Sequence, residues 1–366
     1  MKILFVTLEQ SARENLKVLL NESYFQSNID KIYTFGMAEE NLIFKDLTNI
    51  KIKSLMGLVD IFKNLPYLFK LRNSLYLVEK ENNFTHIIFI DSFDFSKFYL
   101  SKYRNSSIKY CQFIGPSVFI WKESKAKFIN QYFDHIFSIF EVERKFYDTD
   151  KYSYIGHPIL NNIVFSKKDR FPIKNIGIFL GSRHQEIIYN IPIINDLIKK
   201  LNSLSNFNFY FFVTKEFNSL IKSYFDNYNY HFCLNDKNYY NNIANLDFAF
   251  ACSGTVHLEL SFTQIPHFIF YKANWLNYVI FKFFVKSKYL SLINIFNKKD
   301  CVKEFIQSNF NSNLLIKGFK ILFDDKFLFY NYLDAIIDSL EKSNIQKFNS
   351  DRIIDYLKKS SLAIKD

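Results

Sequence analysis

The chain has 366 residues, 49% hydrophobic and 23% charged, with a formal net charge of +11. That length predicts two domains, and that balance predicts real cores and excludes an intrinsically disordered chain. The positive charge has two readings, attraction to something anionic or a drift of the whole composition toward Lys, Asn, Ile, Tyr and Phe, so the 44 Phe are expected to fill core and not to form a nucleic-acid platform.

Lys2 to Thr7 reads as a short buried strand, and Met1 to Val6 is therefore not taken as a signal peptide. A helix is expected from about Ser11 to Leu20 and a second strand over Lys31 to Phe35. From Ile52 to about Glu79 the pattern is helical, with a bend near Pro66. His86 to Ile90 is a third buried strand, ending at Asp91; Ile108 to Phe113, His135 to Ile139 and Tyr152 to Ile155 follow. The polar stretch Asn161 to Lys174 reads as a linker.

The rhythm then restarts. Asn175 to Leu180 is a strand running into Gly181-Ser182-Arg183, followed by a helix around Ile191 to Leu201 and a strand over Asn208 to Thr214. Leu246 to Ala251 is a strand running into Cys252-Ser253-Gly254-Thr255, followed by a helix from Val256 to Phe262 and a strand over His267 to Tyr271. Strands alternating with helices predict two doubly wound parallel α/β halves, with a ligand cleft facing the carboxyl ends of the strands.

Only 8 of the 366 residues are Gly, and four of them lie in short polar motifs: Gly115-Pro116-Ser117, Gly156-His157-Pro158, Gly181-Ser182-Arg183 and Ser253-Gly254-Thr255. A glycine beside Ser, Thr or Arg at a strand end lets backbone approach a phosphate. For Ser253-Gly254-Thr255 the alternative is an ordinary helix cap. For Arg183 the alternatives are a fork onto a phosphate or a surface pair with Glu186. Two such loops in one domain point to a nucleotide diphosphate. Neither is a Walker A loop or G-x-G-x-x-G, which disfavours triphosphate hydrolysis and nicotinamide chemistry. Glu259, on the same helix face as Thr255, is placed to accept ribose hydroxyls.

Asp91 and Asp94 stand at a strand's carboxyl end, where one could act as a general base on a sugar hydroxyl or cap the next helix. His157 could touch a ligand or satisfy buried carbonyls. Leu55, Met56, Leu58, Val59, Phe62 and Leu65, near Lys63, Lys70 and Arg72, fit either a core helix or a helix that dips into a bilayer surface. Tyr278 to Lys286 is a second basic, apolar segment of that kind. No run approaches 18 apolar residues, so no membrane span is expected. Cys111, Cys233, Cys252 and Cys301 form no C-x-x-C pair, so neither zinc nor disulfides are indicated and a reducing cytoplasm fits.

Taken in order, the motifs resemble the lipid-A-disaccharide synthase family, bacterial UDP-sugar glycosyltransferases of the GT-B fold. The resemblance runs from about Leu55 to Gln307. It includes Met56-Gly57, Ile90-Asp91-x-x-Asp94-Phe95, Gly115-Pro116-Ser117-Val118-Phe119-Ile120-Trp121, Phe146-Tyr147 and Ile155-Gly156-His157. It continues through Gly181-Ser182-Arg183-x-x-Glu186, Ser253-Gly254-Thr255-x-x-x-Glu259, Tyr271-Lys272, Ser291-Leu292-x-Asn294 and Val302-Lys303-Glu304-x-x-Gln307. It implies two Rossmann-like domains facing an interdomain cleft. Residues 1–165 would form the acceptor and membrane-facing domain, with helices from about 340–366 packing back on it, and 166–340 the UDP-sugar domain.

The activity implied is transfer of 2,3-diacylglucosamine from its UDP donor to 2,3-diacylglucosamine 1-phosphate, giving the β-1,6 lipid A disaccharide and UDP. Asp91 would be the base. Gly181, Ser182, Arg183, Glu186, Ser253, Gly254, Thr255, Glu259, Asn294, Glu304 and Gln307 would serve the UDP-sugar. Glu9, Ser11, Asp94, Ser117 and His157 would serve the acceptor. No metal or other cofactor is expected, since Arg183 and loop amides would meet the charge growing on the diphosphate. The implied place is cytoplasmic, peripheral on the inner membrane's inner face, with a homodimer as a further implication and no nucleic-acid partner.

The family's G-E-x-S-G-D is Leu8-Glu9-Gln10-Ser11-Ala12-Arg13 here, keeping Glu9 and Ser11 but losing both glycines and reversing the acid. Leu180 and Ile293 replace family prolines. Two other classes therefore stand beside the leading one: a GT-B glycosyltransferase with a different acceptor, and a membrane-associated UDP-sugar binder without catalysis. A nucleic-acid binder rests on charge alone.

Overall fold

A computed structural model describes residues 1–21, 25, 29, 31–37, 43–52, 64–119, 124–165, 169–225, 230–234, 236–272 and 287–362. Short runs of Phe, Ile, Leu and Val, too brief for helices, form strands whose two faces are both covered, as parallel sheets require. The chain divides into two units, Met1–Pro158 with Ile345–Asp366, and Ile159–Asn344.

The first unit carries a seven-stranded parallel sheet built from β1 (Lys2–Val6), β2 (Lys31–Phe35), β3 (Phe44–Asp46), β4 (His86–Ile90), β5 (Lys109–Phe113), β6 (His135–Ser138) and β7 (Tyr152–Tyr154), in the order β3-β2-β1-β4-β5-β6-β7. The first strand lies directly against the fourth, with Ile3 beside His86 and Val6 beside Phe89. The second unit repeats the plan. Its strands are β8 (Asn175–Phe179), β9 (Asn208–Val213), β10 (Tyr230–Leu234), β11 (Phe248–Cys252), β12 (His267–Tyr271) and β13 (Glu304–Ile306), ordered β10-β9-β8-β11-β12-β13. There β8 lies against β11, Ile176 beside Phe248. Each sheet thus has one switch point, where successive connections leave in opposite directions, and loops at the carboxyl ends flank it.

The phenylalanines do fill core. Phe248, Phe250, Phe268 and Phe319 pack against one another with ring centroids 5.0–5.9 Å apart, mostly edge to face, and all four are buried.

Four expectations shift. The helix expected from Ile52 starts, among described residues, at Leu65 and runs to Glu81, with Pro66 in its first turn, where a missing N–H costs nothing; residues 53–63 lie outside the described residues. The edge strands β3, β10 and β13 were not foreseen; β3 and β13 are three residues long, too short to carry a period. The helix expected at Ile191 begins at His184 and passes through Pro192 to Asn202. The end of the expected linker is an anchor: Arg170 is buried, and its guanidinium donates to the carbonyls of Leu246 and, at 3.0 Å, Thr263.

The helix Asp351–Leu362 packs on the first unit. Tyr356 stacks on His135 at 4.0 Å, His86 Nε2 lies 2.8 Å from Ser360 Oγ, and Ile353, Ile354 and Leu357 are buried. Gly156, at φ +76°, closes against this segment so tightly that a Cβ would meet the Lys347 carbonyl oxygen at 2.1 Å. Leu357→Ala is expected to destabilise the first unit by about 2–5 kcal/mol, read by urea unfolding; an unchanged midpoint would detach the helix from that core.

Candidate active site

In the first unit, two loops meet across the switch point. The chain leaves β1 through Leu8 and Glu9 into the helix Gln10–Asn21, and leaves β4 at Asp91. Ser11 Oγ donates to Asp91 Oδ2 at 3.1 Å, joining residues eighty apart. Asp91 and Ser92 take φ of +53° and +47°, the left-handed region that ordinary side chains avoid and that clusters at working sites. Burial raises the Asp91 carboxyl above the ordinary aspartate range, with hydrogen bonds from Ser11 and Ser92 pulling the other way.

The structure separates the two aspartates. Ser92, not either Asp, is the N-cap of the helix Phe93–Tyr103, and no side chain caps it. Asp94 is exposed and paired with Lys125 at 3.4 Å. Ser117 is half-buried in the loop after β5, whose next amide, Val118 N–H, donates to Glu143 Oε1 at 3.2 Å. Glu143 also accepts from Ser138 Oγ at 2.6 Å, and burial pushes its carboxyl up to about 8. His157 is buried, its main-chain N–H donates to Gln346 O at 2.8 Å, and its ring centre lies 5.6 Å from that of Phe140. Of the altered N-terminal loop, Glu9 is half-buried, Ser11 still reaches Asp91, and Arg13 Nε donates to Gly36 O at 2.8 Å.

In the second unit, Gly181-Ser182-Arg183 follows β8 and Ser253-Gly254-Thr255 follows β11, so the two polar loops sit on either side of the switch point. Gly181 takes φ +104°, and a Cβ there would lie 2.7 Å from Glu186 Oε2 and 3.3 Å from Cys252 Sγ. Arg183 Nη1 pairs with Glu186 Oε1 at 2.7 Å; the arginine is half exposed and the glutamate mostly covered. Ser182, Gly254 and Thr255 are exposed, Ser253 is half-buried, and nothing lies within 4 Å of a Cβ added at Gly254. Thr255 is the N-cap of the helix Val256–Phe262, but its hydroxyl does not cap it. Glu259 is buried, accepts from Tyr239 Oη at 2.9 Å, and is pushed by burial up to about 7.

A third loop, Tyr289 to Ser291, stands before the helix Leu292–Asn297, with Ser291 as its N-cap. Glu304 builds it: Oε1 accepts from Ser291 N–H and Asn294 Nδ2, both at 2.8 Å, and Oε2 accepts from Leu290 N–H at 2.9 Å. Asn294 is fully buried, its oxygen accepting from Cys301 and Val302 N–H at 2.8 Å and its nitrogen donating to Val302 O at 2.7 Å. Both side chains hydrogen-bond within the loop itself, and Glu304 is half-buried. Gln307, half-buried at φ +54°, follows β13.

One residue escaped sequence reasoning. His257, buried two residues after Thr255, faces Gly254 O with Nδ1 and accepts Leu292 N–H at Nε2, 3.0 Å away. A carbonyl only accepts, so Nδ1 carries the proton and the ring is neutral. It ties the Ser253-Gly254-Thr255 loop to the Leu292 loop. The histidine was visible in sequence, but its partner thirty-five residues away was not.

Leu55, Met56, Leu58, Val59 and Phe62, like Tyr278 to Lys286, Ile120 and Trp121, lie outside the described residues; Leu65 is exposed. Among the described residues no helix is long and apolar enough to cross a membrane.

A family model described as lipid-A-disaccharide synthetase matches residues 3–354. A lipid-A-disaccharide synthase of Campylobacter jejuni is 30% identical over 340 residues, covering 84% of this chain and 87% of its own. One from Aquifex aeolicus is 26% identical over 339 residues, covering 89% and 91%. Among solved structures, an S. aureus MnaA–UDP complex superposes with a TM-score of 0.63 at 11% identity, covering 100% of this chain and 97% of that one. A UDP-GlcNAc 2-epimerase from Neisseria meningitidis bound to UDP-GlcNAc gives 0.61 at 14%, covering 99% and 100%. At such identities these likenesses show the fold alone, which is GT-B.

His257→Leu is expected to leave Leu292 N–H without its partner, destabilising the second unit by about 1–3 kcal/mol at pH 7.5. Burial holds His257 down to about 4, against an ordinary 6.5. The unfolded chain therefore binds its proton first, and wild-type stability from this group is lost as pH falls from 6.5 toward 4. The gap between wild type and variant in unfolding experiments is accordingly expected to narrow over that window; a constant gap would refute the neutral, bridging histidine.

Proposed function

We propose that the chain, which belongs to the lipid-A-disaccharide synthetase family, transfers 2,3-diacylglucosamine from its UDP donor to the 6-hydroxyl of 2,3-diacylglucosamine 1-phosphate. Its products are the β-1,6 disaccharide and UDP. Asp91 takes the proton from the acceptor hydroxyl, the hydroxyl oxygen forms its bond to the donor C1, and the bond from C1 to the diphosphate oxygen breaks with inversion. Arg183 and the main-chain amides of the two glycine loops meet the negative charge gathering on the leaving diphosphate. In this reading no metal is called for.

The observation that carries the reading is the Ser11–Asp91 hydrogen bond, made from a left-handed Asp91 at the switch point of the first sheet. A base works best when its pKa lies near the operating pH, and burial moves the Asp91 carboxyl in that direction. Ser11 reaches Asp91 although the glycines around it are gone. For the donor, the support is the open face at Gly254 beside the exposed Ser182 and Thr255, with Arg183 at the same switch point. Glu259, carboxylate when ionised, accepts ribose hydroxyls.

The reading also has the protein working at the cytoplasmic surface of the inner membrane, where both lipid substrates lie. Supporting it, Leu65 and Phe69 expose apolar surface on one helix, while Arg72 of the same helix is buried, its guanidinium 4.0 Å from the Phe98 ring centre and 4.9 Å from that of Phe69.

The test is turnover in detergent with both lipid substrates and mass detection of the disaccharide. Asp91→Ala is expected to lower kcat about a hundredfold or more with UDP affinity unchanged, and an unchanged rate removes Asp91 from the mechanism. In wild type the acid limb of kcat is expected above the ordinary aspartate range. Arg183→Ala is expected to weaken UDP. For Glu259, UDP affinity is expected to rise with pH through about 7 and Glu259→Gln to flatten that step; an equal step in both proteins would take Glu259 off the nucleotide.

A further inference from the structure

We propose that Gln112 is a positioning residue that holds Asp91 in its working conformation. The inference rests on the reading of Asp91 as the base. Gln112 lies near the end of β5, fully buried, between the turn that follows β4 and the turn that follows β5. Its Nε2 donates to the carbonyl oxygen of Asp91 at 2.7 Å and to that of Ile114 at 3.1 Å. Its Oε1 lies 3.1 Å from Ser96 Oγ, a hydroxyl that can donate to it. Carbonyl oxygens only accept, so the amide has one possible orientation, nitrogen toward the two turns.

The two residues it grips are both strained. Asp91 is at φ +53° and Ile114 at φ +61°, and for a β-branched side chain a positive φ is a true outlier that persists only where its surroundings over-determine it. Each residue's N–H is held by the neighbouring strand, Asp91 N–H by Phe113 O and Ile114 N–H by Phe137 O, both at 2.9 Å. Gln112 supplies the carbonyl side. With both ends of the residue fixed, Asp91 cannot relax to negative φ, and its Cβ stays directed at Ser11. The same amide sets the start of the Gly115-Pro116-Ser117 loop. An apolar side chain of this size would fill the volume but grip neither turn.

Gln112→Leu tests this through turnover, its pH profile and UDP binding. The expected result is a 10- to 100-fold fall in kcat, a shifted acid limb, and UDP affinity within twofold of wild type, since misplacement of a catalytic group by an ångström costs on that order. In an Asp91→Ala background, Gln112→Leu is expected to cost less than a further twofold, because a residue that acts through Asp91 has nothing left to position. Wild-type kcat in the single variant, or a loss that multiplies with that of Asp91→Ala, would overturn the proposal. Should Gln112→Leu not fold, Gln112→Met, unbranched and without a donor, is read by the same criteria. If Asp91→Ala itself keeps full activity, the reading of the base has failed; if Asp91→Ala is inactive while both Gln112 variants are fully active, only this inference has.

Discussion

Where the first strand of a parallel sheet lies against the fourth, the connections above them turn away from each other, and the loops at that point cannot be covered by a crossing helix. The protein has this arrangement twice, at β1–β4 and at β8–β11. Everything assigned to chemistry follows from it. In the first sheet the Leu8 to Arg13 loop and Asp91 flank the opening; in the second, Gly181-Ser182-Arg183 and Ser253-Gly254-Thr255 do. The strands supply rigidity, and the side chains that matter are the ones the chain releases at the carboxyl ends.

The two openings are built with different chemistry. Around Asp91 the backbone is strained, the carboxyl is half-buried, and a serine hydroxyl from another loop aims it. Such a site suits moving a proton. Around Gly254 the backbone is relaxed and open, with hydroxyls, amides and one arginine exposed. Such a site suits an anion that arrives and leaves. Behind the open face, a buried polar layer does the holding: His257 ties one loop to the next, Glu304 and Asn294 knit the third, and Tyr239 braces Glu259. The Asn294 amide has both its oxygen and its nitrogen hydrogen-bonded, which is what makes a buried polar group an asset.

Most strands were legible in the sequence because short apolar runs buried on both faces look alike wherever they occur; β8, β11 and β12 appear within a residue or two of the expected spans, whereas the edge strands β3, β10 and β13 were missed. The glycine loops were legible because Gly is rare in this chain, so its placement beside Ser, Thr and Arg stood out. What was not legible depended on distance in sequence. Asp91 and Asp94 are equivalent as text; only φ and a partner at Ser11 distinguish them. Asn294 and Glu304 carry a family pattern, but the hydrogen bonds that join them to each other, to Ser291 and to Val302 are not visible in sequence. Gln112 has nothing to mark it in sequence, because both of its carbonyl partners are main chain.

The account divides the work between the units: nucleotide on the second, proton transfer on the first. Hydrogen exchange of the whole protein with and without UDP alone measures that division directly. The account predicts slowed amide exchange over 181–186, 253–259 and 289–294, with the loops 8–13 and 91–95 exchanging as in the free protein. Protection of the 8–13 and 91–95 loops by UDP, with none at 181–186 and 253–259, would contradict it.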